Sequence, residues 1–236
     1  MTDPAVLYKN QSAEQIFRGG EINVAKKRYA DAVKQFEALD ALYPFSQYDE
    51  QAQLNLMYAY YQNDDVASAA ATAMRFIRLY PRSDRVDYAY YMKGLADFEQ
   101  DRGWVQRYFP GDLSQRDPGT TRQAFDDFDQ LIKLFPNSPY APDARQRMIY
   151  LRNLFAGYEL HIATYYLRRG AYVAAVNRSL YIIQHYDGTP QVQEALGIMV
   201  TSYRALGLTA AASQTVQILQ LNYPHGPVLK NLAKLK

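Results

Sequence analysis

Cysteine is missing altogether from the 236 residues, which removes disulfide scaffolds, thiol nucleophiles and cysteine zinc sites together. No apolar run approaches the roughly 18 residues of a membrane-spanning helix. A dominant charge is lacking too: 26 Lys and Arg stand against 24 Asp and Glu, a net +2. That balance gives no sign of the basic face of a nucleic-acid binder. Only three histidines occur, His161, His185 and His225, scattered and without a carboxylate at metal-ligand spacing. Asp126, Asp127 and Asp129 lack calcium-loop spacing and read as helix-terminal charge. There is no phosphate-cradling glycine loop and no serine in a nucleophile elbow. No metal, cofactor or catalytic residue is therefore expected, and the chain reads as a binding protein. Met1-Thr2-Asp3-Pro4 has no basic and apolar signal region, so the chain reads as cytosolic or as a processed or trimmed form.

Tyrosine is abundant, at 22 copies. One ten-residue stretch, Tyr43 to Ala52 (YPFSQYDEQA), also recurs. It returns as YPRSDRVDYA from Tyr80, FPNSPYAPDA from Phe135 and YDGTPQVQEA from Tyr186, with a fifth start at Tyr223-Pro224. Each copy has an aromatic, then Pro or Asp, a hydroxyl two residues on, and Ala at the end. Pro stops one helix, the hydroxyl can satisfy free N–H groups of the next, and Ala permits close helix approach. The first and last intervals are near the roughly 34 residues of a tetratricopeptide hairpin, and the middle two run some 15 to 20 longer.

In chain order, a lead-in covers 1–11 and Ser12 caps a helix, with Gln15 in the capping-box position. Gly20, Tyr29, Ala32, Phe36, Leu39 and Pro44 match the tetratricopeptide pattern. Ala69, Ala73 and Ile77 take the buried spacing of Ala32, Phe36 and Leu39, and Ala124, Phe128 and Leu131 recover it after Gly94. An insertion at about 101–120 carries Trp104, Tyr108-Phe109-Pro110-Gly111 and Arg116-Asp117-Pro118, read as an ordered loop. A long helix from about Pro142 to Arg169 follows, broken by Gly170. Ala175, Ser179 and Ile182, then Ala212, Val216 and Leu219, continue the register. The fold expected is all-α: a superhelix of five helical hairpins, about ten helices, with an insertion in repeat three and a long first helix in repeat four. Residues 12–136 form repeats one to three, 137–226 repeats four and five, and 227–236 a basic tail. An alternative is two short arrays joined by the long helix.

First-helix residues not used in packing line the groove of such an array. The landmarks place Phe17, Leu54, Tyr58, Tyr61, Tyr88, Tyr91, Leu95 and Phe98 there, an aromatic trough for an extended peptide. The alternative for each is a core position. The fourth repeat instead offers Arg168, Arg169 and Arg178, suited to a partner carboxylate or, more plainly, to a solvated helix surface.

These residues resemble the BamD family, tetratricopeptide lipoproteins of the bacterial β-barrel assembly machinery. The likeness is carried by Leu39 to Phe45 (LDALYPF), Leu56 to Asn63 (LMYAYYQN), Arg75 to Leu79, Arg116-Asp117-Pro118, Pro136-Asn137-Ser138 and Gly170 to Arg178 (GAYVAAVNR). It implies a non-enzymatic scaffold at the periplasmic face of the outer membrane, anchored through lipid on an N-terminal cysteine absent from this chain. It implies binding to the periplasmic (POTRA) domains of BamA, to BamC-like and BamE-like lipoproteins, and to C-terminal segments of unfolded outer-membrane proteins. Repeats one to three would receive substrate and repeats four and five the partner, with Arg178 matching an arginine of the BamA interface. The rival is a soluble tetratricopeptide adaptor or chaperone co-factor.

Overall fold

The computed structural model describes residues 4–100 and 119–234, and these are helical throughout apart from short turns. Twelve helices are described: α1 (Pro4–Tyr8), α2 (Ala13–Ala25), α3 (Tyr29–Leu42), α4 (Asp49–Gln62), α5 (Val66–Leu79), α6 (Val86–Gln100), α7 (Gly119–Leu134), α8 (Ala141–Arg168), α9 (Tyr172–His185), α10 (Gln191–Ala205), α11 (Thr209–Asn222) and α12 (Pro227–Lys234). The expected insertion falls on 101–118, outside the described residues, while Gly119 and Thr120 already belong to α7. The chain divides into two compact units, and their boundary falls inside α8, between Met148 and Ile149.

Local chemistry sets the helix ends. Ser12 and Gln15 close a reciprocal box: Gln15 N–H donates to Ser12 Oγ at 3.2 Å, and Ser12 N–H to Gln15 Oε1 at 2.9 Å. Asp65 caps α5 through Ser68 N–H at 3.1 Å. The recurring hydroxyl acts twice over. Ser83 Oγ accepts from Arg85 N–H and Ser138 Oγ from Tyr140 N–H, as a turn hydroxyl should. Each also donates backward, Ser83 to Glu50 at 2.5 Å and Ser138 to Asp87 at 2.6 Å, tying one turn to the start of the preceding first helix.

In the first unit each helix from α3 to α7 packs on the one before it, and α2, α4 and α6 also touch in sequence. First helices therefore stand side by side as one wall. Their contacts with second helices follow volume complementarity. A Cβ on Gly20 would lie 2.5 Å from the Phe36 ring, and one on Gly94 would lie 2.7 Å from the Phe128 ring. Phe36 and Phe128 are buried because glycine leaves them room. At the matching pair in the second hairpin the sizes reverse, with Met57 and Ala73 both fully buried. The stripe on α5 is Ala69, Ala73 and Phe76, all fully buried, whereas Ile77 is half-exposed. The spacing of Ala32, Phe36 and Leu39 is four then three; one residue further carries a side chain some 100° round the helix. The assignment of Ile77 is corrected accordingly.

In the second unit the later part of α8 packs on α9, with Phe155 and Tyr186 ring centres 6.5 Å apart. Ala163, Ala175 and Ile198 form a small core there. Gly170, at φ +72°, makes the turn that ends α8. The segment read as a basic tail is helical over Pro227–Lys234: Val228 presses on Gly197 of α10 and Leu232 is buried. The spacing of Val228 and Leu232 gives the terminal helix one apolar face, which covers the end of the last hairpin. The N-terminal lead-in likewise contains α1, which packs on α3.

Candidate functional site

The first unit carries a groove of about 410 Å³ on the wall of first helices. Leu54 and Tyr58 of α4, Tyr88 of α6 and Tyr140, from the turn before α8, provide its apolar lining. Tyr29 meets Tyr58 edge-on, with centroids 6.0 Å apart. Tyr88 and Tyr140 are 5.4 Å apart, and Tyr91 stacks on Tyr140 at 4.8 Å with planes 17° apart. A second line of groups fixes Tyr91. Its hydroxyl donates to Asp143 Oδ2 at 2.7 Å, and Arg147 Nε donates to the same oxygen at 2.6 Å. The Arg147 guanidinium lies 5.1 Å above the Phe98 ring.

The phenols respond to this packing. Burial, then the hydrogen bond to Asp143, raises Tyr91 to about 12. Burial also raises Tyr88, and burial with a hydrogen bond to Tyr29 raises Tyr58. At Asp143 burial opposes ionisation, but the bonds from Tyr91 and Arg147 outweigh it and lower the carboxyl. Burial raises Tyr140 as it does Tyr88, so both phenols stay neutral at ordinary pH, able to donate to a ligand's carbonyl oxygens. The polar edge comprises Gln51, Asn55, Asp84, Arg85 and Asp87. Arg85 Nη1 donates to Gln51 Oε1 at 2.6 Å, and Gln51 Nε2 to Asn55 Oδ1 at 3.0 Å.

Of the expected trough residues, Leu54, Tyr58 and Tyr88 line this groove and Tyr91 buttresses it; Tyr61 is half-exposed beside Arg147. Leu54 is only 4% exposed and forms floor rather than wall. Three positions are corrected to core. Phe17 is sandwiched between Phe36 and Tyr48, stacked on the latter at 5.1 Å. Phe98 packs edge-on against Phe128 at 6.4 Å, and Leu95, three residues before it on α6, is 6% exposed. Tyr140 and Arg85 escaped sequence reading, although a signal existed: both are the sixth residue of the recurring decapeptide. Tyr48 holds that place in the first copy, and it stacks on Phe17 as Tyr140 stacks on Tyr91.

The three arginines lie in the second unit. Arg178 Nη1 donates to Glu159 Oε2 at 2.8 Å; the Glu159 side chain is 6% exposed and that of Arg178 42%. One edge of the guanidinium thus neutralises a buried carboxylate while the remainder faces solvent. Arg168 is exposed beside Tyr158, Tyr165 and Tyr166 along an open recess of about 470 Å³. Arg169 sits 6.0 Å over the Tyr165 ring. Among the described residues no group of three His, Asp or Glu is placed to hold a metal ion, and no helix is long and apolar enough to cross a membrane.

Residues 9–219 match the family described as YfiO: Outer membrane lipoprotein. The chain is 42% identical over 208 residues to "Outer membrane protein assembly factor BamD" of Vibrio cholerae, covering 88% of this chain and 86% of that protein. The chain belongs to the BamD family. A second member, from Neisseria meningitidis serogroup A, is 38% identical over 95% of this chain and 84% of its own length. A crystal structure of kinesin light chain TPR-like repeats from Podosopora anserina is similar over 94% of this chain and 96% of that one. That pair is 13% identical, with a TM-score of 0.42.

Proposed function

We propose that this chain is a non-enzymatic scaffold of outer-membrane protein assembly, working at the periplasmic face of the outer membrane. Its BamD-family relatives are named as outer membrane protein assembly factors, and the identity extends over most of both chains. The finer reading assigns the ten long helices to five tetratricopeptide-like repeats. Residues 12–136 receive unfolded outer-membrane proteins, and 137–226 hold the barrel-forming subunit BamA through its periplasmic domains, with BamC-like and BamE-like lipoproteins as further partners.

The observation that carries the substrate assignment is the convergence of Tyr58, Tyr88, Tyr91 and Tyr140 around one groove. Flat apolar rings with phenolic donors suit an extended aromatic-rich segment, and they lose little rotamer entropy on binding. Carrying a client site and a partner site on one chain raises the effective concentration of client near the partner, with no bond made or broken. For the partner, exposed N–H groups of Arg178, with Arg168 and Arg169, offer donors to an acidic patch.

Two measurements test the pair of assignments. Tyr58, Tyr61 and Tyr91 changed together to Ala should weaken binding of peptides from porin C-termini while helicity is retained. Unchanged affinity removes the groove assignment. Co-purification with BamA's periplasmic domains tests the scaffold itself, and failure to associate at physiological salt sinks it.

A further inference from the structure

The polar edge of the groove indicates which part of a bound chain is read. Three charges line it, Asp84, Arg85 and Asp87. Asp87 is already satisfied: Oδ2 accepts from Ser138 Oγ at 2.6 Å and Oδ1 from Tyr88 N–H at 2.8 Å. Asp84 and Arg85 remain as exposed neighbours, one an acceptor and one a donor. Arg85 spends one N–H on Gln51, which in turn holds Asn55, so the guanidinium is steadied beside the aromatic pocket and forms no direct ion pair among the described residues. Resting on the groove reading above, we propose that Asp84 and Arg85 read the main-chain edge of an extended segment whose aromatic side chain fills the pocket of Leu54, Tyr58, Tyr88 and Tyr140. Asp84 takes a backbone N–H and Arg85 a backbone carbonyl.

The ligand chemistry follows from the charge balance. Two carboxylates against one guanidinium give this edge no excess attraction for a terminal carboxylate. An extended chain, by contrast, offers an N–H and a C=O in close alternation along one edge, matching one acceptor beside one donor. The groove therefore accepts an aromatic residue in the interior of an extended segment as well as one at a chain end. Specificity resides in the ring and in strand-like geometry, which is a low demand suited to many unfolded clients.

The test uses the full chain and a fluorophore-labelled decapeptide of alternating polar and aromatic residues ending in Phe, made as free acid and as C-terminal amide. The two forms should bind within twofold of each other. Arg85→Ala should weaken both by roughly tenfold, the loss of one charge-assisted hydrogen bond, and Asp84→Ala should weaken both by less. Both positions are exposed, so an unchanged melting temperature confirms that the variants fold. Marked loss of affinity for the amide, erased in Arg85→Ala, overturns the main-chain reading in favour of a terminal carboxylate. No effect of Arg85→Ala where Tyr58→Ala weakens binding overturns the proposal and leaves the groove standing. Insensitivity to both overturns the groove and the proposal together.

Discussion

Arg178 pairs with Glu159 and is proposed to meet a partner, and a double-mutant cycle with Glu159 divides the two roles. The Glu159 side chain is 6% exposed, and its ion pair with Arg178 is a 2.8 Å hydrogen bond between α9 and α8. Deleting one partner of a fully buried pair costs about 3–5 kcal/mol. The Arg178 side chain is 42% exposed, so water screens part of the attraction and the cost falls to roughly 1–3 kcal/mol. Arg178→Glu would confuse the matter, because it sets a second carboxylate against a buried one and loosens α8 from α9 whatever the partner does. The informative set is Arg178→Ala, Glu159→Gln and the double variant, compared by urea midpoint and by capture on BamA's periplasmic domains. Arg178→Ala should lose both stability and capture. In the double variant the neutral amide no longer needs a cation, so stability should return by most of that amount while capture stays low. Recovery of capture along with stability would refute a direct partner contact and leave Arg178 purely structural.

Gly94→Ala places a methyl 2.7 Å from the Phe128 ring at a buried helix contact, and should destabilise by about 1–3 kcal/mol. A lowered melting temperature checks this, and Gly170→Ala, with open space around it, is the comparison that isolates backbone strain from overpacking. Burial and a hydrogen bond with Asp127 hold Asp97 at about 7, with Lys93 opposing the shift. The folded chain therefore keeps a proton that the unfolded chain releases near pH 4. Stability from this pair is present at low pH and is lost as pH rises toward 7. Melting temperatures measured between pH 5 and 8 should fall with pH, and Asp97→Asn should flatten that slope.

Much of the fold was legible because its signals are local. Pro44, Pro81 and Pro136 stop helices by removing a donor, Ser12 caps with Gln15, and Gly20 and Gly94 mark contacts where a ring needs space. The errors came where burial depends on residues far along the chain. Phe17 sits at the same repeat position as Tyr91, yet it is closed over by Phe36 and by Tyr48, a ring delivered by the following turn. Tyr91 receives the equivalent cover from Tyr140, but its hydroxyl reaches Asp143 and the groove stays open beside it. Side-chain identity at one repeat position thus leaves exposure undecided, since it turns on partners supplied from later in the chain. Glu159 went unread for a related reason, since a buried carboxylate becomes intelligible only once Arg178 is found across the hairpin. The terminal helix was readable, because Val228 and Leu232 fall four apart, but the lysines drew the reading toward a tail.

Stacked hairpins with similar apolar faces risk slipping against one another, and apolar contact alone resists slippage weakly. In the first unit polar bonds key successive repeats. Arg75 on α5 forks onto Asp40 on α3 at 2.5 and 2.6 Å, Gln53 on α4 reaches the same carboxylate at 2.9 Å, and Tyr80 donates to the buried Asp49 at 2.5 Å. Such bonds break if a repeat shifts, leaving buried charge unpaired, so they penalise wrong stackings more than they strengthen the right one. The same logic reaches the groove. Asp87 takes the Ser138 hydroxyl on one oxygen and the Tyr88 N–H on the other. The bond that keys the turn before α8 to α6 therefore ends on the residue next to a groove ring, and that same turn carries Tyr140. Register and the packing of the groove rings are set by one recurring decapeptide. A slip at Ser138 would part Tyr88 from Tyr140 and dismantle the groove.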